Sequence, residues 1–92
     1  MLHLLFELKI LKQTNKQFSE IIFEDEKIKF FFFNQMKSPL ILSKTEVRID
    51  LSNDEIEFTN LITNKYIGNA YKNRIAEPEK WDDLIESINH LK

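Results

Sequence analysis

The chain of 92 residues contains no cysteine. Disulfides and thiolate metal sites are thereby excluded, and a reducing compartment suits the composition. Glycine occurs once, at Gly68, and proline twice, at Pro39 and Pro78. One glycine cannot build the glycine-rich loops that cradle phosphates. Histidine occurs only as His3 and His90, near opposite ends of the chain, and there is no G-x-S-x-G elbow. A nucleophilic triad needs a base held against a Ser, Cys or Thr, so that chemistry is not expected. Basic charge is not in excess either. The net charge is −2, with 11 basic and 10 acidic groups in residues 1–76 but 2 and 5 in residues 77–92. Without a polybasic surface, a nucleic-acid partner is not expected.

What is present is a hydrophobic content of 42% and a charged content of 30%, the balance of a folded globular chain. The length fits one domain, residues 1–92, burying roughly 60% of its unfolded surface. Asn, Lys, Ile and Phe are abundant, a composition compatible with an AT-rich genome. The opening "MLHLLFELKILK" is superficially like a secretory leader. Glu7 and Lys9 interrupt its apolar part, the basic start is missing and no small-residue cleavage site follows. No run approaches the ~20 apolar residues of a membrane span. The expected location is the cytoplasm, with no transmembrane segment.

Leu2, Leu4, Phe6, Leu8 and Ile10 alternate with His3, Glu7 and Lys9, the pattern of a strand. Leu4, Leu5, Leu8 and Leu11 would also fit a helix. The strand matches at five positions and no N-cap precedes it, so the strand is preferred. After the polar turn "QTNKQ", "FSEIIF" and "KIKFFFFN" flank the acidic turn "EDE" and form a hairpin. Pairing Phe23 with Ile28 sets Ile21 against Phe30 and Ser19 against Phe32. Side chains on one face recur every second residue, so Ile21, Phe23, Ile28, Phe30 and Phe32 form a core face. The other face then pairs Glu24 with Lys27, Ile22 with Lys29, Glu20 with Phe31, and Phe18 with Phe33. A register shifted by one would put Glu20 in the core.

"NQMKSP" is a loop, with Ser38 held extended by Pro39, and "LIL" begins a short strand. "TEVRIDL" alternates cleanly, and this outweighs the capping-box cue in "SKTE". "SNDE" turns, "IEFTNLI" is a strand with Ile56 and Phe58 inward, "TNK" turns, and "YIGNAY" is the last strand. Gly68 within it implies a bulge or a close backbone approach. In "EPEKWDDLIESINHLK", Pro78 suits a first helical turn. Acidic residues load the positive end of the helix dipole, and His90 and Lys92 the negative end. Trp81, Leu84, Ile85, Ile88 and Leu91 make one apolar stripe, which predicts an amphipathic helix over 78–91.

The predicted class is therefore mainly β (α+β): six to seven antiparallel strands within residues 2–71, then one C-terminal helix. Many short strands followed by one amphipathic helix carrying a Trp, here Trp81 in "EKWDDLIESI", resemble a pleckstrin-homology-like (PH-like) domain, with the bacterial members as the nearest comparison. The resemblance implies a barrel or strongly bent sheet closed by the helix; an open sheet with the helix packed on it is the alternative. Lipid-binding members cluster Lys and Arg around the first hairpin. Lys9, Lys12 and Lys16 stand there without an arginine, so lipid binding is not carried over.

The remaining polar groupings are ordinary. Asp82, Glu86 and His90 share a helix face at metal-ligand spacing, but an exposed polar face explains them. "EDE", "NDE" and "WDD" fall in turns or a first helical turn, without the desolvated pocket that acid–base work requires. "YKNR" at 71–74 pairs an aromatic with two cations and reads as a solvated strand exit. No catalytic residue, metal or cofactor is expected.

That leaves the second face of the FFFF strand. Burying a Phe fully is worth about 1.5–3 kcal/mol, so Phe31 and Phe33 should be covered. With Phe18 and Ile22 they form the candidate interface, of the size that marks interaction sites. Its cover is the first segment or the helix, a second copy giving a homodimer, or another protein partner. The expected function is a small non-enzymatic binding module. The alternatives are a ligand-binding protein or enzyme with an unrecognised pocket, or an acidic inhibitor or immunity-type protein using "EPEKWDDLIES" against a basic target.

Overall fold

A computed structural model describes residues 6–14 and 17–91. Seven antiparallel strands form two sheets. β1 (Phe6–Lys9), β2 (Phe18–Phe23), β3 (Lys27–Phe32) and β4 (Leu40–Ser43) make a four-stranded meander. β5 (Val47–Leu51), β6 (Glu55–Asn60) and β7 (Lys65–Tyr71) make a three-stranded one. The helix α1 (Trp81–Leu91) follows. The mainly β class with a C-terminal helix is thus what the alternation predicted. Leu2 and Leu4, expected in the first strand, lie outside the described residues, while Leu8 and Ile10 are buried.

The first hairpin keeps the predicted register from its turn outward: Phe23 pairs with Ile28, Ile21 with Phe30 and Glu20 with Phe31. It then departs from it. A bulge between Phe18 and Glu20 sets Phe18 opposite Phe32 instead of Phe33. Ser19 becomes the extra residue, and every side chain before it changes face. Phe18, expected on the second face, therefore enters the core and is 2% exposed. Its ring lies 5.1 Å from Phe30, 5.5 Å from Phe32 and 6.1 Å from Phe58.

Phe58 also meets Phe30 at 5.2 Å and Phe23 at 6.3 Å, so the phenylalanines of one sheet converge on the central strand of the other. Leu84, Ile88 and Trp81 of α1 join the same cluster, and among the described residues no polar or charged side chain is buried in it. Burial of this stripe, rather than intrinsic propensity, is what holds an 11-residue helix together. The side chain of Leu91 lies outside the described residues.

Two corners join the sheets. At one, Ile10 bridges Ile75, Leu11 N–H donates to Arg74 O (2.7 Å) and Ala76 N–H to Lys9 O (2.9 Å). At the other, the chain passes from β4 to β5 through a one-turn 3₁₀ helix at Lys44–Glu46. Here the "SKTE" cue is a real capping box: Thr45 N–H donates to Ser43 Oγ, and Ser43 N–H to Glu46 Oε1 (2.8 Å). The strand begins at Val47, later than the alternation of "TEVRIDL" suggested.

Two further boundaries differ from expectation. β6 stops at Asn60, because its side-chain oxygen accepts from the N–H groups of Ile62 and Thr63, and Asn64 takes a left-handed φ of 58°. Local side-chain bonds of this kind compete with the strand ladder. Leu61 and Ile62 are consequently exposed turn residues. The segment Pro78–Lys80 is a 3₁₀ turn, and the α-helix starts at Trp81 rather than at Pro78.

Candidate functional site

Gly68 fulfils both of its predicted roles. The pairing of β6 with β7 shifts between Phe58 and Thr59, whose partners are Gly68 and Tyr66, leaving Ile67 as the extra residue. A Cβ on Gly68 would lie 2.6 Å from Phe18 Cζ. The ring of Phe18 thus rests on the bare backbone of β7, and the two bulges fit one another across the seam between the sheets.

Beside this contact lies a cleft of about 450 Å³. One wall is the β1–β2 loop, with Gln13, Thr14 and Gln17; the other is β7, with Tyr66, Asn69 and Tyr71. The loop wall is braced by one side chain. Gln17 Oε1 accepts from Gln13 N–H (2.7 Å) and Thr14 N–H (3.4 Å), and Gln17 Nε2 donates to Leu11 O (3.0 Å). On β7, Asn69 Nδ2 donates to Glu55 and to Tyr71 Oη (2.9 Å). The lining sets these amides and hydroxyls beside the apolar surfaces of Phe18 and Ile67, with no carboxylate or ammonium among the described residues that form it.

Tyr66 feels its surroundings. Partial burial pushes its phenol up to about 12, with the negative charges of Glu57 and Glu55 and neighbouring Tyr71 adding to the effect. An ordinary tyrosine titrates near 10. A raised value means that the folded chain holds this proton where the unfolded chain releases it. The stabilisation is full below pH ~10 and is lost as the pH rises toward 12. Because Tyr66 is 56% exposed, solvent and salt screen much of the carboxylate contribution. Phenolate absorbance should show a late transition near pH 12 that Tyr66→Phe removes and that added salt moves downward. A late transition surviving in Tyr66→Phe would contradict this assignment.

The second candidate is the outer face of the first sheet. With Leu8, Ile21, Phe23, Ile28, Phe30 and Leu42 inward, the alternate positions point out. Ile22, Phe31 and Phe33 are half-buried there, and Ile41 of β4, 54% exposed, extends the strip. Of the four predicted interface residues, the structure brings together Ile22, Phe31 and Phe33 and removes Phe18. Ile41 was missed, although "LIL" between two loops already implied one outward residue. Cross-strand rows surround the strip: Glu7, Ile22, Lys29 and Ile41 in one, and Lys9, Glu20 and Phe31 in the next. Lys29 Nζ pairs with Glu24 at 2.7 Å, and Lys12 Nζ stands 6.0 Å from the centre of the Phe33 ring.

The helix does not cover this face, because its apolar stripe is spent on the inner cluster. The described part of the first segment extends the sheet as β1 instead of crossing it.

The other polar groupings stay apart. Among the described residues no set of three His, Asp or Glu is placed to hold a metal. Asp82 and Glu86 are exposed; the side chain of His90, and all of His3, lie outside the described residues. Tyr71, Lys72 and Arg74 are exposed where β7 ends. No described helix is long and apolar enough to cross a membrane. In comparisons with known proteins, no family model, curated protein or solved structure matches the chain.

Proposed function

We propose that this chain is a small non-enzymatic interaction module of PH-like architecture that self-associates through the outer face of its first sheet. Seven strands in two sheets, tied at two corners and followed by one helix with Trp81 only 3% exposed, support the architectural part. The observation that carries the functional part is the strip of Ile22, Phe31, Phe33 and Ile41, which runs across three strands with no described element laid over it.

The charges around the strip favour a second copy over a charged partner. Glu7, Glu20 and Glu24 face outward, and so do Lys9, Lys27 and Lys29. A face carrying both signs, with Lys12 beside Phe33 as well, can meet itself across a two-fold axis by setting each sign against the other. Two strands about 20 Å long and two about 13 Å long, ~4.8 Å apart, present about 300 Å² per copy. That is well below the ~800 Å² per partner of a standard interface, so the dimer is weak and concentration-dependent.

Sedimentation over a wide concentration range tests this. The wild type is expected to approach twice the 11.1 kDa chain mass at high concentration. Phe31→Lys with Phe33→Lys should remain at one chain mass while keeping its β circular dichroism. A wild type that stays monomeric at millimolar concentration overturns the reading. So does an unfolded double variant, which would make these rings core.

A further inference from the structure

We infer that the cleft beside β7 is a strand-addition site for an extended peptide carrying Lys or Arg, recognised through the main chain of Asn69 and Tyr71. β7 is an edge strand, since its sheet runs β5, β6, β7. In an antiparallel pair, successive residues alternate between exchanging bonds with the partner and turning both main-chain groups away from it. Lys72 N–H donates to Asp54 O at 2.9 Å, which fixes the phase. Ala70 and Gly68, opposite Ile56 and Phe58, bond to β6. Asn69 and Tyr71 then direct N–H and C=O to the open edge, and among the described residues neither main chain finds a partner there.

An edge of this kind pairs with any extended chain that reaches it unless it is blunted. Proline and inward charge are absent from β7, and its bulge at Ile67 precedes the Asn69–Tyr71 stretch that would pair. What stands before it is the loop braced by Gln17, and the 450 Å³ between loop and strand admits an extended chain. Gln13, Thr14 and Gln17 wall the cleft opposite β7, where the whole sheet of a second copy would have to enter for another β7 to pair. This selects a slender peptide over another copy.

The chemistry of the lining agrees. It offers amides, hydroxyls, two tyrosines and the apolar surfaces of Phe18 and Ile67, with no cation among the described residues that form it. Main-chain pairing would supply the affinity, and the side-chain positions, recurring every second residue, the selectivity. Lys65 and Lys72 flank β7 at its two ends, but behind the Asn69–Tyr71 stretch the charge is negative. Glu57 and Glu55 stand across from Asn69 and Tyr71, and their charge adds to the burial that pushes the Tyr66 phenol up. Glu57 has no hydrogen bond or ion pair among the described residues. A Lys or Arg on the added strand would answer this field, and a carboxylate would be repelled.

The test is selection from a degenerate nine-residue peptide library displayed on phage, against the full chain and against Asn69→Pro. Proline is tolerated on an edge where its missing N–H faces outward. It removes one donor of the proposed pairing, and circular dichroism verifies that the variant folds. Tyr71→Gly, which keeps the main-chain donor, serves as a second control if it does not. The expected result is enrichment of peptides rich in Lys or Arg at alternate positions. Binding should fall at least tenfold with Asn69→Pro, survive Tyr71→Gly more fully, and slow amide exchange at Asn69 and Tyr71. No enrichment over background, enrichment of acidic peptides, or slowed exchange elsewhere overturns the proposal. Slow exchange at these two amides in concentrated peptide-free protein would assign the edge to a second copy and overturn it equally. Phe31→Lys with Phe33→Lys should bind the selected peptides unchanged, which separates this site from the dimer face.

Discussion

Phe58→Ala is expected to cost about 3–5 kcal/mol, a large part of the ~5–15 kcal/mol that holds a small domain folded. Phe58 is fully buried, and its ring meets those of Phe18, Phe23 and Phe30 from the opposing sheet. Truncation removes the largest side chain that β6 sends into the core and leaves a void that three rings cannot fill together. Each aromatic pair contributes about 0.5–1.5 kcal/mol beyond area burial, so the loss exceeds that of an isolated phenylalanine. Urea unfolding should show a much lower midpoint, and Phe58→Leu should fall between the two. A midpoint for Phe58→Ala close to that of the wild type would mean that the sheets do not meet through this ring.

The second large effect is expected at Gly68. No glycine here adopts a left-handed φ, so alanine meets no backbone strain. It meets Phe18 instead. A Cβ 2.6 Å from Cζ and 2.8 Å from Cε2 is inside van der Waals contact. The ring cannot swing clear, because Phe30, Phe32 and Phe58 surround it. Overpacking of this type costs about 1–3 kcal/mol. The mechanism makes a sharper prediction than the magnitude does: Phe18→Leu should relieve part of the cost of Gly68→Ala. Residues in direct contact show coupling of about 0.5–3 kcal/mol. Additive losses in the double variant would show that Gly68 is needed for some reason other than this contact.

Much of the fold was legible, and particular residues show why. The period-two pattern of Ile21, Phe23, Ile28 and Phe30 is a local consequence of strand geometry, so one turn and one buried face fixed the register. The 3.6-residue period of Trp81, Leu84 and Ile88 fixed the buried side of α1. Gly68 announced a close approach. The candidate site was legible only in part. Ile22, Phe31 and Phe33 share an outward face as predicted, but Phe18 does not. Nothing in "FSEIIF" marks Ser19 as a bulge, since either register leaves an apolar residue at each end. The cleft was not legible at all, because Gln13 and Gln17 lie some fifty residues from Tyr66 and Asn69 in the chain.

The order of residues alone determined the strands, the helix and which side of each is apolar, because those follow from periodicities that each segment carries within itself. Tertiary structure alone decided where the Phe18 ring goes and which strand edge stays open. Those outcomes depend on two bulged strands fitting across a seam, and the space that Gly68 leaves is defined only once both sheets are in place.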